Sequence, residues 1–209
     1  MNAIASITVT PVLVADLLAE GERMPVYAHV IEHPDARVLI DTGITEQHPA
    51  AADLDPLLRP LSEQDFDIAG IDIVVNTHLH FDHCGGNRLF PGVPIHVQAR
   101  ELADARGPDY TVPEWVDFEG ATYVEHEGDA EVLPGVRLLP TPGHTDGHQA
   151  VLVDTGDGLV VLGGDVAYSF RELGTGTTDG QRRVLELGAP TWLAHVERPT
   201  VPEYRPDGA

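Results

Sequence analysis

The stretch His78-Leu79-His80-Phe81-Asp82-His83 follows a short, largely apolar run, residues 71–76, that is typical of a buried strand. Imidazole nitrogens and carboxylate oxygens are the usual protein ligands of zinc and similar divalent ions. In an extended segment alternate side chains share a face, so we expect the first two histidines and the aspartate to converge. A turn would then bring the last histidine to the same place. The stretch predicts a metal site at the end of a strand.

The residues after this stretch, Cys84-Gly85-Gly86, are predicted to form the turn. Glycine tolerates positive φ, so Gly85 and Gly86 are expected to provide the change of direction. Cys84 is the only cysteine, which rules out an intrachain disulfide. Because histidines and aspartates can complete a metal site without it, we expect Cys84 to be a small buried side chain beneath the turn.

The chain has 209 residues, of which 34 are acidic and 12 are basic, for a formal net charge of −22. Such an acidic field repels phosphate backbones, so nucleic acid is not an expected partner. The N-terminus lacks the basic region of a secretory signal, and no apolar run approaches the roughly 18 residues that span a bilayer. We therefore expect a cytoplasmic protein without membrane contact, folded as a single domain over residues 1–202 with a loose tail over residues 203–209.

Short β-branched runs recur along the chain and predict strands joined by tight turns. The runs Val26–Ile31 and Arg37–Ile40 form one predicted hairpin, and Thr155-Gly156-Asp157-Gly158 predicts the turn of another. Helices are predicted near Gln98–Arg106 and over Asp179–Leu187. Strands with helices between them predict a domain of the α/β type, in which layered sheets are covered by helices.

Three later stretches place a polar residue where an apolar run ends. They are Thr141-Pro142-Gly143-His144-Thr145-Asp146-Gly147-His148, Gly163-Gly164-Asp165 and Thr191-Trp192-Leu193-Ala194-His195. Loops at one end of a layered sheet protein commonly gather the residues of a site. Adding His144, Asp165 and His195 to the first motif gives five histidines and two aspartates, enough for two metal ions. Paired divalent ions can bind both the attacked and the departing oxygens, which suits hydrolysis of an ester-like bond.

The pattern His-x-His-x-Asp-His at residues 78–83 resembles the signature of the metallo-β-lactamase superfamily, and the similarity covers nearly the whole chain. Asp41-Thr42-Gly43, residues 141–148 and Gly164-Asp165 match other motifs of that superfamily in order and rough spacing. The resemblance implies a four-layer αββα sandwich with metals at one edge, between the two sheets. It also implies two metal ions bridged by Asp165, with these further ligands: His78, His80 and His144 for one ion, and Asp82, His83 and His195 for the other.

Within the superfamily the sequence is most similar to the N-acyl-homoserine lactonases, through the runs His78–Asn87 and Thr141–Gln149. This resemblance implies a hydrolase that opens lactone rings by attack of a hydroxide bridging the two metals. Tyr168 stands where those lactonases have a tyrosine that donates a hydrogen bond to the substrate carbonyl, and a phenol is mostly protonated at neutral pH. The resemblance also implies that Asp82 carries the proton to the leaving alkoxide.

Alternatives stay open at this point. A thioester hydrolase of the glyoxalase II kind shares the metal motifs, although only Arg198 and Arg205 follow His195 as basic residues. A non-catalytic metal-binding module on the same fold is a third alternative. Zinc is the expected metal, while iron, manganese and cobalt also accept histidine and aspartate ligands. The expected partner is a small lactone or ester, and a homodimer is compatible with the sequence.

Polar and aromatic residues near the motifs have predicted supporting roles. Asp41 is expected to organise a turn or to support the ligands rather than to take part in the reaction. His148 is expected to hold its loop through hydrogen bonds rather than to bind metal. Trp115 and Phe118 could line an apolar pocket, but such a cluster is more typical of a packed loop.

Overall fold

The computed structural model describes residues 6–19 and 21–205, which form two β-sheets with helices on their outer faces. The strands are β1 (Thr8–Ala19), β2 (Glu22–Glu32), β3 (Arg37–Ile40), β4 (Leu57–Leu58), β5 (Ile73–Val75), β6 (Pro94–Gln98), β7 (Thr122–His126), β8 (Ala130–Leu133), β9 (Val136–Pro140), β10 (Gln149–Thr155), β11 (Gly158–Leu162) and β12 (Thr191–Trp192). The α-helices are α1 (Phe81–Cys84), α2 (Ala99–Ala105), α3 (Pro113–Val116), α4 (Phe170–Thr175) and α5 (Asp179–Leu187). Short 3₁₀ helices cover Pro49–Leu54, Leu61–Glu63, Ile68–Gly70 and Asn87–Leu89.

The first sheet has the strand order β4-β1-β2-β3-β5-β6-β7, and the second has the order β12-β11-β10-β9-β8. Both predicted hairpins are confirmed, as the antiparallel pair β2 and β3 and the antiparallel pair β10 and β11. Strands β3, β5, β6 and β7 run parallel to one another. Because parallel strands end at the same edge of a sheet, the loops after β3 and β5 lie side by side.

The interior between the two sheets is apolar. Ile31, Val38 and Val75 of the first sheet pack with Leu138 and Val151 of the second in one buried cluster. Helices α4 and α5 cover the outer face of the second sheet through a separate apolar cluster. Helices α2 and α3, with the short 3₁₀ segments, cover the outer face of the first. The predicted four-layer αββα sandwich is confirmed.

The helix predicted over Asp179–Leu187 is confirmed as α5 with the same bounds. The Thr178 side chain accepts a hydrogen bond from the Gln181 backbone, and the Gln181 side chain accepts one from the Thr178 backbone. This capping box satisfies N–H groups that the first helical turn would leave free. Gly188 ends the helix at a φ of 57°, a left-handed conformation that glycine adopts without steric cost. The helix predicted near Gln98–Arg106 is likewise confirmed as α2.

The extended conformation expected for residues 78–83 holds only as far as His80, whose φ and ψ are −66° and 156°. Phe81 to Cys84 form one helical turn, in which the backbone N–H groups of His83 and Cys84 both donate to the His80 carbonyl at 3.0 Å. Asp82 and His83 therefore reach the site from a helix rather than from a strand. Alternation along an extended chain is therefore the wrong reason for the position of Asp82, whereas His83 is brought round by a turn of the chain, as predicted.

The prediction that Gly85 and Gly86 adopt positive φ is wrong, because their φ values are −60° and −90°. Their role is close packing instead. A Cβ on Gly85 would lie 2.7 Å from the Phe81 carbonyl oxygen, and one on Gly86 would lie 2.4 Å from the Thr42 carbonyl oxygen. The segment after α1 thus lies directly against the turn that follows β3, and only glycine leaves enough space.

The C-terminal residues of the described chain contain no helix or strand after Thr200. The Arg205 backbone N–H donates to the Gly174 carbonyl at 2.6 Å, so residues 203–205 lie against the end of α4. Residues 206–209 are outside the described chain, and the division into a domain over 1–202 and a tail over 203–209 stays a prediction. Among the described residues no helix has the length and apolar character needed to cross a membrane.

His29 of β2 is a buried histidine away from the predicted site, and its environment predicts acid sensitivity. It is 4% exposed, packs against the Trp192 ring at 5.4 Å between ring centroids, and its Nε2 atom has no hydrogen-bond partner within the described structure. Burial lowers the pKa of His29 from its usual 6.5 to about 3. The folded state keeps His29 neutral while the unfolded state takes up a proton below pH 6.5, so stability falls as the pH drops from 6.5 toward 3.

We expect His29 to account for about 2 kcal/mol of lost unfolding free energy between pH 7 and pH 5. Urea unfolding of the wild type and of His29→Leu at both pH values measures this, because leucine has a similar volume and cannot titrate. The wild type should lose more stability than the variant by that amount. Equal losses in the two proteins would show that His29 does not contribute.

Candidate metal centre

Three histidines from two loops direct their ring nitrogens at one point. His78 and His80 lie in the loop after β5, and His144 lies in the turn between β9 and β10. His78 Nε2 lies 3.1 Å from His80 Nδ1, which lies 2.9 Å from His144 Nε2. A tetrahedral zinc site with its nitrogens about 2.1 Å from the metal would place them about 3.4 Å apart. The observed separations are close to that value, so these three nitrogens could hold one cation.

A second group combines two carboxylates with two histidines. Asp82 and His83 belong to α1, while Asp165 follows β11 and His195 follows β12. His83 Nε2 lies 3.4 Å from Asp82 Oδ2 and 3.4 Å from Asp165 Oδ1. All four residues are buried, and their ligand atoms lie within 4.8 Å of one another. This group could hold a second cation beside the first.

Asp165 lies between the two groups and faces both. Its Oδ1 atom is 3.2 Å from His195 Nε2, on the side of the second group. Its Oδ2 atom is 3.3 Å from the same His195 nitrogen, and it is also 3.6 Å from His144 Nε2 and 4.0 Å from His78 Nε2 of the first group. One carboxylate that contacts both groups is the arrangement that a ligand shared by two cations requires.

The donor atoms are better suited to binding divalent cations than to forming hydrogen bonds with one another. His83 Nε2 and Asp165 Oδ1 are buried without a hydrogen-bond partner in the described structure, a situation that costs about 1–3 kcal/mol for each group. Burial holds the pKa of His78 well below its usual value and lowers that of His80 to about 4. Both imidazoles are therefore neutral near pH 7, with lone pairs free to coordinate a cation. Nitrogen and carboxylate ligands together suit zinc and similar metals.

Hydrogen bonds behind the ligands fix their orientation. Asp41 accepts from the Thr77 backbone N–H at 2.8 Å, from the Thr77 hydroxyl at 2.7 Å and from His83 Nδ1 at 2.9 Å. His148 bonds to the Thr141 hydroxyl at 2.7 Å, and its Nε2 accepts from the Asp165 backbone N–H at 3.1 Å. Asp41 and His148 thus make the supporting contacts expected of them. Such contacts set the tautomer and direction of ligating groups.

Residues 21–190 match the family model described as the metallo-beta-lactamase superfamily. The chain belongs to this superfamily. A Bacillus N-acyl homoserine lactonase is 33% identical in an alignment of 172 residues that covers 73% of this chain and 68% of the relative. The N-acyl homoserine lactonase of Bacillus cereus is 32% identical over 70% of this chain and 65% of its own length. A solved quorum-quenching N-acyl homoserine lactone lactonase superposes with a TM-score of 0.78 at 26% identity, covering 92% of both chains.

These matches confirm the predicted superfamily, and they confirm the predicted class of enzyme, a metal-dependent hydrolase. The aligned segment spans only 65% of the Bacillus cereus protein's length, so the reaction and substrate of this chain are treated as proposals below. A Staphylococcus aureus protein described as a probable metal-dependent hydrolase superposes with a TM-score of 0.73 at 15% identity, covering 99% of this chain and 95% of that one. At that identity the similarity shows the fold alone.

An open pocket of about 800 Å³ leads from the surface to the two groups of histidines and aspartates. Atoms of both ligand groups line it, together with apolar side chains of the β1–β2 hairpin that include Leu17 and Met24. Tyr168 also lines the pocket, with 47% of its surface exposed and its hydroxyl 3.3 Å from His144 Nδ1. The structure therefore brings together all seven predicted ligands and the predicted tyrosine.

Three residues considered in the sequence lie outside the pocket lining. Trp115 is 1% exposed and packs in the core of the first sheet, with Phe118 against the same cluster. Cys84 is buried beneath the turn as expected, and its thiol donates to the Leu79 carbonyl at 3.3 Å. Burial raises the pKa of Cys84 to about 12, so the thiol stays protonated and unreactive at neutral pH.

The motifs do not point to Glu101, yet it contacts both loops that carry the first group of histidines. It is 0% exposed in α2 and accepts hydrogen bonds from the Leu79 backbone and the Thr145 hydroxyl. One signal was available in the sequence. Glu101 directly precedes Leu102 on a predicted helix, and that helix must bury one of its faces, so a buried acidic side chain there would need hydrogen-bond partners.

Proposed function

We propose that this protein is a dinuclear metal hydrolase that opens lactone rings, with N-acyl homoserine lactones as its substrates. The observation that carries the proposal is the position of Asp165 between two ligand groups beneath one pocket. The relatives and solved structures named as N-acyl homoserine lactonases support the choice of substrate. A homodimer remains compatible with this function.

In this proposal the first cation is held by His78, His80 and His144. The second is held by three other ligands, which are Asp82, His83 and His195, and Asp165 bridges the pair. We propose zinc for both sites because histidine nitrogens predominate, while iron, manganese and cobalt accept the same ligands. The bound cations would supply an activated water nucleophile and polarise the substrate carbonyl.

Tyr168 is proposed to donate a hydrogen bond to the carbonyl oxygen as negative charge develops there. Burial, reinforced by the nearby Asp165 carboxylate, raises the pKa of Tyr168 to about 12. The phenol is therefore protonated at neutral pH and available as a donor. Its exposure of 47% at the pocket lining leaves room for a substrate to approach.

Asp82 is proposed to take the proton from the nucleophile and to pass it to the ring oxygen that leaves. It lines the pocket and is 6% exposed, so its carboxylate can reach substrate while being largely withdrawn from bulk water. Although burial opposes ionisation, His83 holds the pKa of Asp82 below its usual value. The ionised carboxylate can then accept a proton.

The walls of the pocket fit an acyl group beside the lactone. Leu17, Met24 and Leu54 line it next to the ligand groups, and Phe81 adds an aromatic side chain. Apolar side chains of this kind gain free energy by covering a hydrocarbon chain. The β1–β2 hairpin and the segment around Leu54 would therefore contact the acyl part of the substrate.

Tyr168→Phe is expected to lower kcat for lactone hydrolysis about 100-fold, because it removes one donor to the developing oxyanion. The cations should remain bound, since the phenol is not one of the proposed ligands. Steady-state kinetics with metal analysis of the same sample provides the measurement. A Phe variant with the kcat of the wild type would assign Tyr168 to loop packing instead.

The proposed function is tested first by metal content and then by a substrate panel. The purified protein should hold two divalent cations per chain and should hydrolyse N-acyl homoserine lactones in preference to simple lactones and thioesters. Preference for thioesters would favour the glyoxalase II-like alternative. Well under two cations per chain, or bound metal without any hydrolysis, would contradict the proposal and favour a metal-binding module.

A further inference from the structure

Glu101 is a fully buried carboxylate that is not among the proposed metal ligands. It lies in α2, directly after β6, and its exposure is 0%. Both of its oxygens accept hydrogen bonds from groups outside its own helix. A buried carboxylate is costly unless such donors compensate for the lost water. The contacts therefore indicate a specific role for this side chain.

Two of the donors to Glu101 belong to segments that hold a histidine of the first group. The Leu79 backbone N–H, between His78 and His80, donates to Oε1 at 2.8 Å. The Thr145 hydroxyl, next to His144 in the chain, donates to Oε2 at 2.6 Å. One side chain thus joins the two loops that must meet at the first cation.

Tyr110 adds a third connection. Its hydroxyl donates to Glu101 Oε1, and its ring lies against His80, with 5.0 Å between the ring centroids and an angle of 42° between the planes. The position of the His80 ring is therefore restrained by a tyrosine that Glu101 itself holds. This contact reaches the second ligand of the loop after β5.

Close packing brings the turn that carries His144 against the start of α2. A Cβ on Gly147 would lie 2.3 Å from the Glu101 backbone nitrogen, so the two segments are in direct contact. Glu101 has no freedom to move away from the turn without separating the backbones. Its carboxylate therefore keeps a fixed position relative to both loops.

We propose that Glu101 is a positioning residue that holds the loops bearing His78, His80 and His144 at the separation needed to share one cation. This inference rests on the proposed function, because it assumes that these histidines bind metal. Glu101 acts through the Leu79 backbone and through two side chains, and it does not touch the cation or substrate. Supporting residues of this kind typically change metal affinity by about 10- to 100-fold.

The test is a titration of metal-free protein with Zn²⁺ in competition with a chromogenic chelator. Glu101→Ala should lower the affinity for one of the two ions about 10- to 100-fold and leave the other nearly unchanged. Glu101→Gln should recover part of the loss, because its amide oxygen can still accept from Leu79 and Tyr110. Glu114→Gln is the matched control, since Glu114 is exposed on α3.

A second readout and a milder variant guard against simple unfolding. The visible absorption of the Co²⁺-loaded protein reports the geometry around the metal and should change in Glu101→Ala but not in Glu114→Gln. Thr145→Val removes one hydrogen-bond donor to Glu101 at nearly constant side-chain volume. It should lower the affinity for the same ion to a smaller extent. If Glu101→Ala lowers the affinity for both ions equally, or lowers neither affinity, the proposal is overturned.

The outcomes separate this inference from the proposed function. A wild-type protein that binds two Zn²⁺ ions and hydrolyses lactones, with an unchanged Glu101→Ala variant, would overturn the role of Glu101 alone. A wild-type protein that fails to bind Zn²⁺ would overturn both. Selective weakening of one ion in Glu101→Ala would support the positioning role whatever the preferred substrate.

Discussion

Asp165→Ala is expected to release the cations from both ligand groups and to lower hydrolytic activity by at least about 10³-fold. This exceeds the roughly 10- to 100-fold effect of residues that only support metal ligands. Asp165 Oδ1 lies 3.2 Å from His195 Nε2, and Asp165 Oδ2 lies 3.6 Å from His144 Nε2. In the proposed dinuclear scheme a single substitution would therefore remove an anionic ligand from each group, so that the water-activating function of both cations would be lost together.

The charge balance of the site strengthens this expectation. Burial opposes the charged form of His83, but Asp165 and Asp82 outweigh it and raise the pKa of His83 well above its usual value. The pKa of His195 is also raised against burial, again chiefly by Asp165. Without Asp165, His83 keeps the carboxylates of Asp82 and Asp41, but His195 loses the carboxylate that chiefly raises its pKa. The metal-free variant should therefore also be less stable than the metal-free wild type.

Asp146→Ala is the matched control for Asp165→Ala. Asp146 is an aspartate in the turn that carries His144, but its side chain is 72% exposed and pairs with Arg100 at the surface. Atomic emission on purified protein measures cations per chain, and initial rates with a lactone measure activity. The control should match the wild type in both. A fully active Asp165→Ala protein that contains little metal would disprove the dinuclear scheme.

Gly86→Ala is expected to destabilise the fold by about 3 kcal/mol or more, at the upper end of the usual cost of overpacking. The added Cβ would lie 2.4 Å from the Thr42 carbonyl oxygen, which belongs to the backbone and cannot rotate away. The Gly86 N–H also donates to the Gly43 carbonyl at 3.0 Å and to the Thr42 hydroxyl at 3.1 Å. Relieving the clash would stretch these bonds and displace α1, which carries Asp82 and His83.

Gly92→Ala separates this packing effect from the ordinary effect of replacing a glycine. Gly92 has a φ of 80° and nothing within 4 Å of an added Cβ, so alanine there costs only the strain of a left-handed backbone, about 1–2 kcal/mol. Guanidinium unfolding of the three proteins gives the free energies. Gly86→Ala should be the less stable variant and should also bind Zn²⁺ more weakly. Equal stability of the two variants would show that the turn after β3 can move.

Much of the fold and most of the site could be predicted from local sequence. The bounds of α5 follow from Thr178, Gln181 and Gly188, because capping depends on residues within one helical turn. The hairpins follow from short apolar runs around turn residues. The seven proposed ligands and the proposed donor Tyr168 could be named because they stand in motifs that resemble those of the superfamily.

Contacts between segments far apart in the chain could not be predicted. The proposed role of Glu101 depends on its contact with Thr145, which stands 44 positions later in the chain and folds back against α2. The true reason for glycine at position 86 is the approach of Thr42, 44 residues earlier. The sequence marks Glu101 only as an acidic residue on a helix with a buried face, and it indicates the partner of neither residue, since the partners are set by the packing of the sheets.

The sequence by itself determined the superfamily, the layered fold and the residues with metal-binding chemistry, because each depends on residue type and local spacing. Only the tertiary structure decided that Asp82 and His83 reach the site from a helix, that Asp165 faces both groups, and that Glu101 joins the histidine loops. The physical reason is that coordination geometry is set by distances of a few ångströms between loops, and those distances follow from how the two sheets pack.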